Sequence, residues 1–352
     1  MAQTEQIANI QRHTSSGAVL FSVALLTVTM LPLILIVLAP YFLPLAWGID
    51  FFLAVASAHV FATAYLFTDR VNRRFVLDRP LQLIVIPILL FLVGMLVFMK
   101  PQNPIFVPAL LLLFLYQTWH FGSQNIGVAM FISLSERGKA ISPGEKNIIR
   151  LGTVCGMLGV LGALYPGFMI GQQYVHIDAT PLAAIRFLHD VGTFVAVVLT
   201  GGALLFLLKA WRQRQFIYGT AIFLSVTFLF PMYLSDNYMI AVASFTIAHG
   251  LQYVVFLAAH SLSPPKSTRR RSFQFWTFLL PPLALAGIVG IGHLIWTNAP
   301  TFQSDFLPLV GQSIILGLTL SHFWIDQYMW RMRNPERAKW VRQNYGFIFR
   351  SQ

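Results

Sequence analysis

The chain has 352 residues, of which 57% are hydrophobic and only 10% are charged. Soluble globular domains carry about 25% charged residues, so this composition excludes that class and predicts an all-α, polytopic transmembrane helical bundle. The single cysteine, Cys155, excludes an intrachain disulfide and a metal site built from cysteines.

Hydrophobic runs of about 20 residues are long enough to cross a bilayer as helices, and the chain contains about ten of them. They lie at 17–40, 48–68, 81–99, 105–133, 149–171, 184–208, 216–234, 237–260, 275–296 and 306–330. These runs predict a single transmembrane domain, 17–330. A polar N-terminal segment without a signal-peptide pattern, 1–16, precedes it, and a basic amphipathic tail, 331–352, follows it. Within the sixth run, Gly201 and Gly202 predict a close approach between helices.

The net charge of +12 follows the predicted topology. With the N-terminus inside, only Lys100 and Arg186 among the 24 basic residues fall on the outer side. This asymmetry predicts that both termini lie in the cytoplasm. The protein is therefore predicted to be a multi-pass protein of the cell membrane, which is the inner membrane if the cell is bacterial. Because basic clusters beside membrane spans contact anionic headgroups, the charge predicts membrane lipids and not nucleic acid as partners.

Four histidines lie near the middle of four different apolar runs: His59, His120, His249 and His322. A charged group at that depth costs about 2.5–3.5 kcal/mol. All four runs are even-numbered and therefore cross in the same direction, and the histidines lie roughly 11–16 residues, or ~16–25 Å, from the outer ends. A lone membrane histidine more often bridges two helices. Four at one depth predict a shared site, and histidine is the commonest protein metal ligand.

Each of these histidines has polar neighbours on its own helix face, three or four residues away. They are Thr63 for His59, Tyr116 and Gln124 for His120, Gln252 and Tyr253 for His249, and Asp326 for His322. Asp326 is predicted either to bind the metal directly or to orient a histidine. Gln124, Gln252 and Thr63 are predicted to receive the second ring N–H of a ligating histidine. Tyr116 and Tyr253 are predicted as catalytic groups that hydrogen-bond substrate or oxygen.

Imidazole with carboxylate or amide oxygen suits iron, zinc or copper better than calcium or magnesium. Iron is preferred here because the chain shows no hydrolytic nucleophile motif. The pattern therefore predicts a membrane oxygenase or oxidoreductase that acts on an apolar small molecule, with O2 as a candidate co-substrate. A haem- or quinone-binding electron carrier, a transporter or proton relay, and an assembly factor are the alternatives.

The order of these segments resembles the bacterial Brp/Blh family. The motifs are an early histidine, then Trp119-His120-Phe121-Gly122, a third histidine segment, and His322 followed by Asp326 and Trp330. The resemblance covers short motifs in four runs. It implies a polytopic, iron-dependent dioxygenase that cleaves β-carotene to retinal, with the ligand role carried onto the four histidines.

The chain departs from that family at three places. The family has an acid shortly after its first histidine and after His-Phe-Gly, where this chain has Thr63 and Gln124–Asn125. The family's third segment has a pair of histidines, and here Gln252–Tyr253 stands near His249. These departures favour a lipid or isoprenoid-like substrate other than carotene.

Overall fold

The computed structural model of the chain describes residues 2–42, 59–60, 63, 70–99, 105–171, 179–235, 238–262 and 306–348. Every regular element within these ranges is a helix, which confirms the all-α prediction. The predicted run at 275–296 lies outside the described residues, and the run at 48–68 is described only at 59–60 and 63.

The helices of the described ranges are numbered here in chain order. They are α1 (Ala2–Phe42), α2 (Arg70–Leu77), α3 (Ile86–Phe98), α4 (Phe106–Arg137), α5 (Pro143–Gly171), α6 (Ala179–Arg212), α7 (Phe216–Thr227), α8 (Pro231–Leu234), α9 (Tyr238–Leu262), α10 (Phe306–Met329) and α11 (Pro335–Asn344). A π-helical stretch, Leu81–Val85, leads into α3. Helix α4 ends at Gly138, whose φ of 69° suits a residue without a Cβ atom.

Three helical segments in the described part are long and apolar enough to cross a membrane: Ser16–Leu38, Ala183–Arg212 and Ile240–His260. They coincide with the predicted runs 17–40, 184–208 and 237–260 and are compatible with a membrane protein. The segments Val71–Leu77 and Leu81–Val97 meet at 99° and together make a fourth candidate. The count of ten spans and the cytoplasmic placement of the termini stay predictions.

Helix pairing brings distant parts of the chain together. Helix α1 packs along α9, α3 packs along α10, and α4 packs against α5 and α7. At the contact between α5 and α7, a Cβ atom on Gly152 would lie 2.5 Å from the Val226 carbonyl oxygen. The close approach predicted at Gly201 and Gly202 is not found among the described residues, none of which lies within 4 Å of a Cβ atom placed on either glycine.

The C-terminal tail returns to the bundle. Trp340 and Tyr345 are fully buried, and the Tyr345 hydroxyl donates to the Phe256 carbonyl of α9. Arg337 is also buried; its Nε donates to the Met329 carbonyl. Trp340 and Tyr345 therefore pack among the helices, whereas an amphipathic interfacial helix would present such residues to lipid.

Candidate metal centre

The four predicted histidines meet inside the protein. One ligand nitrogen from each of His59, His120, His249 and His322 lies within 4.8 Å of the other three. Helices α4, α9 and α10 supply the last three, and all four side chains are buried. The structure thus unites four residues that are up to 263 positions apart in the sequence.

The imidazole rings contact one another edge to face. The His59 ring centroid lies 4.5 Å from that of His249 and 4.3 Å from that of His322. The ring of His120 lies 4.9 Å from His249 and 5.5 Å from His322. The four rings therefore share one buried volume, with a nitrogen of each near a nitrogen of the other three.

The donor set fits a metal ion. Each histidine has one buried ring nitrogen with no hydrogen-bond partner among the described residues: Nδ1 of His59 and His249, and Nε2 of His120 and His322. A buried polar atom left unpaired costs about 1–3 kcal/mol, which a coordination bond would remove. Nitrogens at ~2.1 Å from one metal lie at most ~4.2 Å apart, so the cluster needs to contract only slightly.

Aromatic side chains wall the cluster. The Phe323 ring stacks on His120 at 4.5 Å with an interplanar angle of 29°. The Phe121 ring lies 4.1 Å from His249. Both phenylalanines are almost fully buried, and they keep water away from the imidazoles.

Asp326 lies beside the histidines and outside the group of four ligand nitrogens. Its Oδ2 is 3.8 Å from His120 Nε2, which is too long for a hydrogen bond. The side chains of Tyr253 and Trp330 hydrogen-bond to this carboxylate, and its Oδ1 has no partner among the described residues. In the structure, Asp326 therefore lies next to His120 of another helix. The spacing on its own helix predicts His322 as its neighbour.

Thr63 and Tyr253 join the site as a pair. The Thr63 hydroxyl oxygen is 2.7 Å from His322 Nδ1, and it donates to the Tyr253 hydroxyl at 3.1 Å. Thr63 was expected to support His59 on its own helix, and in the structure it contacts His322 of another segment. Tyr253 also packs its ring edge against His59, with centroids 4.6 Å apart.

Gln252 and Gln124 form a second polar group behind His249. Gln252 donates to Thr29 Oγ1 at 2.9 Å and to Asn125 Oδ1 at 3.0 Å. Gln124 donates to Gln252 Oε1 at 3.0 Å and to the His249 carbonyl at 3.2 Å. Gln124 thus binds the α9 backbone at His249, Gln252 ties α9 to α1 and α4, and no described hydrogen bond joins either amide to an imidazole ring.

Sequence reasoning missed Thr29 of α1 as a member of this group. Thr29 is 1% exposed, whereas Thr27, two residues away, faces outward. Both threonines also donate to the carbonyl four residues earlier in the helix. Nothing in the local sequence distinguishes them, because only the packing of α1 on α9 decides which one meets Gln252.

Tyr116 and His260 lie away from the cluster. The half-buried Tyr116 ring packs on Phe323 at 5.7 Å, so Phe323 separates it from His120. The His260 ring packs on Trp340 and Tyr345 of the tail, at 5.2 and 6.2 Å. A catalytic role for Tyr116 stays a prediction.

Comparison with known proteins identifies no relative: the chain matches no family model, no curated protein and no solved structure. The geometry of the four histidines therefore carries the functional argument.

Proposed function

We propose that this chain is a multi-pass membrane oxygenase or oxidoreductase, with both termini in the cytoplasm, whose four histidines hold an iron ion. Its substrate is an apolar lipid or isoprenoid-like molecule. The observation that carries the proposal is the convergence of four buried imidazoles within 4.8 Å, each with an unpaired nitrogen. Zinc and copper are the other metals that suit these donors.

Bound iron would supply redox chemistry with O2, which the side chains of a protein cannot perform unaided. His59, His120, His249 and His322 would hold it. Phe121 and Phe323 exclude water from the imidazoles, and Asp326 places the one carboxylate of the described site beside His120. Four neutral imidazoles and one nearby carboxylate would leave a divalent cation only partly neutralised, so the site would favour an additional anionic or polarisable ligand.

The substrate is proposed to enter between helices from the lipid. Trp119 is 42% exposed on α4, directly before His120, and Tyr116 is half-buried one turn earlier. An apolar molecule that follows this face reaches Phe323 and then the cluster. The resemblance to the Brp/Blh family supports the same substrate class, with polyene cleavage as one reaction to assay.

Metal analysis of the purified protein tests the proposal. We expect stoichiometric iron in the wild type by mass spectrometry, and loss of that iron in His120→Ala and His322→Ala. The matched control is His189→Ala, since His189 of α6 packs on Tyr233 outside the cluster. Iron-dependent oxygen uptake with isoprenoid lipids in mixed micelles would support the oxygenase assignment. A folded wild-type protein that takes up no metal would remove it.

The ring contacts argue against a haem held between two of these histidines. Axial histidines must face each other across a flat macrocycle. Here His59 Nε2 and His249 Nε2 are 2.9 Å apart, with no gap for a ring system between them. A colourless protein without a Soret band is therefore expected.

A proton relay is the second candidate, because Thr63 and Tyr253 connect His322 to Asp326 by hydrogen bonds. Proton flux in proteoliposomes that persists after complete metal removal would favour a transporter over an oxygenase. Flux that is absent with and without metal would leave the metal-dependent reaction as the function.

A further inference from the structure

We infer that Thr63, Tyr253 and Asp326 are positioning residues that together hold the proton of His322 on Nδ1, so that its Nε2 lone pair faces the cluster. The inference deepens the proposed function, on which its link to metal binding rests. Three contacts make the chain: His322 Nδ1 to Thr63 Oγ1 at 2.7 Å, Thr63 Oγ1 to the Tyr253 hydroxyl at 3.1 Å, and Tyr253 to the Asp326 carboxylate.

The direction of the chain follows from the number of protons. A threonine hydroxyl has one proton, and Thr63 donates it to the Tyr253 hydroxyl. Its oxygen can therefore only accept from His322, so the Nδ1 atom must carry hydrogen. The Tyr253 hydroxyl likewise has one proton, and because its oxygen accepts from Thr63, it donates that proton to the Asp326 carboxylate. Each hydrogen bond of the chain is then donated in the same direction, from His322 through Thr63 and Tyr253 to Asp326.

The consequence for His322 is a fixed tautomer. A neutral imidazole with hydrogen on Nδ1 has its lone pair on Nε2. That Nε2 is buried and has no hydrogen-bond partner among the described residues. The arrangement would act as the carboxylate–histidine pair of a metal site does, lengthened by two hydroxyl groups, and the carboxylate would raise the basicity of Nε2 as a ligand.

Trp330 anchors the far end of the chain. Its side chain hydrogen-bonds to Asp326, and its ring lies 6.1 Å from that of Tyr253. Trp330 also contacts Trp340 and Tyr345 of the tail, with centroids 6.0 and 6.2 Å away. The buried tail therefore packs on the tryptophan that hydrogen-bonds to the carboxylate.

His322 differs in this respect from its neighbours. Nε2 of His59 and Nε2 of His249 contact each other, so the proton between them can sit on either ring. His120 lies 3.8 Å from Asp326 without a hydrogen bond. Among the described contacts, only His322 has a ring nitrogen hydrogen-bonded to a hydroxyl group that leads to an acid.

The test reads the tautomer directly in metal-free protein labelled with ¹⁵N-histidine, with His322 assigned from the signals lost in His322→Gln. We expect hydrogen on Nδ1 in the wild type. Thr63→Val should abolish this preference and weaken Fe(II) binding by about 10–100-fold in a chelator competition. Thr63→Ser should restore both, and Thr227→Val is the matched control, since the described hydrogen bond of the Thr227 hydroxyl goes to the Phe223 carbonyl of its own helix.

Three outcomes are informative. Hydrogen on Nε2 of His322 in the wild type, or a Thr63→Val variant that changes neither readout, overturns the inference. If Thr63→Val does not fold, Tyr253→Phe and Asp326→Asn make the same test by a smaller change. If the wild type binds no metal, the proposed function fails, and the tautomer in the metal-free protein still decides the inference.

Discussion

His59 and His249 meet through their Nε2 atoms at 2.9 Å, although 190 positions separate them in the chain. Two neutral imidazoles can make this contact only if one carries hydrogen on Nε2 and the other does not. Their Nδ1 atoms are buried without partners among the described residues. In the absence of metal, the two rings therefore depend on each other for hydrogen bonding.

This relationship predicts strong coupling in a double-mutant cycle. His59→Ala or His249→Ala in metal-free protein should each cost about 1–3 kcal/mol of unfolding free energy, because the remaining ring keeps an unpaired buried nitrogen. The double variant should cost less than the sum of the two. Unfolding in mixed micelles measures all four states. The cycle of His249 with His189 should be additive, and additivity in the first cycle would contradict the contact.

Gln252→Leu should destabilise the protein more than an equivalent change at another buried glutamine. Gln252 joins Thr29, Asn125 and Gln124, and its loss removes the described partner of the buried Asn125 Oδ1 together with one hydrogen bond each of Thr29 and Gln124. We expect a loss of about 1–3 kcal/mol. The matched control is Gln117→Leu, which removes one weak contact of 3.5 Å to Thr246 and should cost about 0.6 kcal/mol. Equal losses for both variants would argue against the network.

Arg337→Met should release the C-terminal tail from the bundle. The Arg337 guanidinium donates to Asn72 Oδ1 at 2.6 Å and lies 4.5 Å from the Trp340 ring centroid. Loss of a hydrogen bond to a charged group costs about 1.5–3 kcal/mol. Protease sensitivity of the tail and the unfolding free energy measure the effect. The exposed Arg342→Met should change stability by less than about 0.5 kcal/mol, and a silent Arg337→Met would disprove this anchor.

Glycine-to-alanine substitutions should destabilise the protein at a close helix contact and should not do so at an open helix surface. Gly152→Ala places a methyl group against the Val226 carbonyl, and the overpacking should cost about 1–3 kcal/mol. Gly202→Ala meets no described residue within 4 Å and should stabilise α6 by up to about 1 kcal/mol through helix propensity. Thermal unfolding of the two variants compares them. A tolerated Gly152→Ala would contradict the packing of α5 on α7.

The contacts of Glu145, which precedes the predicted span 149–171, should make the stability of the protein sensitive to acid. Burial raises the pKa of Glu145, but hydrogen bonds from Tyr218 and Ser142 and the charge of Arg137 outweigh it and hold the pKa below its ordinary value. Because the folded-state pKa is the lower one, the stabilisation is complete above the unfolded pKa of about 4.3 and is lost as pH falls through the folded value.

Unfolding followed from about pH 6 to pH 3 measures this acid dependence. Glu145→Gln should flatten the profile, because the side chain no longer titrates. Tyr218→Phe keeps the carboxylate but removes one hydrogen bond, so it should move the loss of stability to higher pH. Identical profiles for the wild type and Glu145→Gln would contradict the prediction.

Much of the site was predictable because it depends on local features of the sequence. Hydrophobic run length indicates helices, and the position of a histidine within a run indicates its depth. These two quantities predicted that His59, His120, His249 and His322 would meet. The helical spacing also identified Thr63, Tyr253 and Asp326, although it assigned them to the histidines of their own helices. In the structure, Thr63 contacts His322, and Asp326 lies beside His120.

The sequence alone determined the all-helical class and predicted a shared site for four histidines, since hydropathy and the position of a histidine within its run are properties of each segment taken singly. Only the tertiary structure decided which ring nitrogens stay unpaired, that Thr29 and not Thr27 meets Gln252, that Gly152 and not Gly202 lies at a helix contact, and that the tail is buried. These features depend on the rotation and pairing of whole helices. That pairing is set by packing between residues far apart in the chain, which no local pattern encodes.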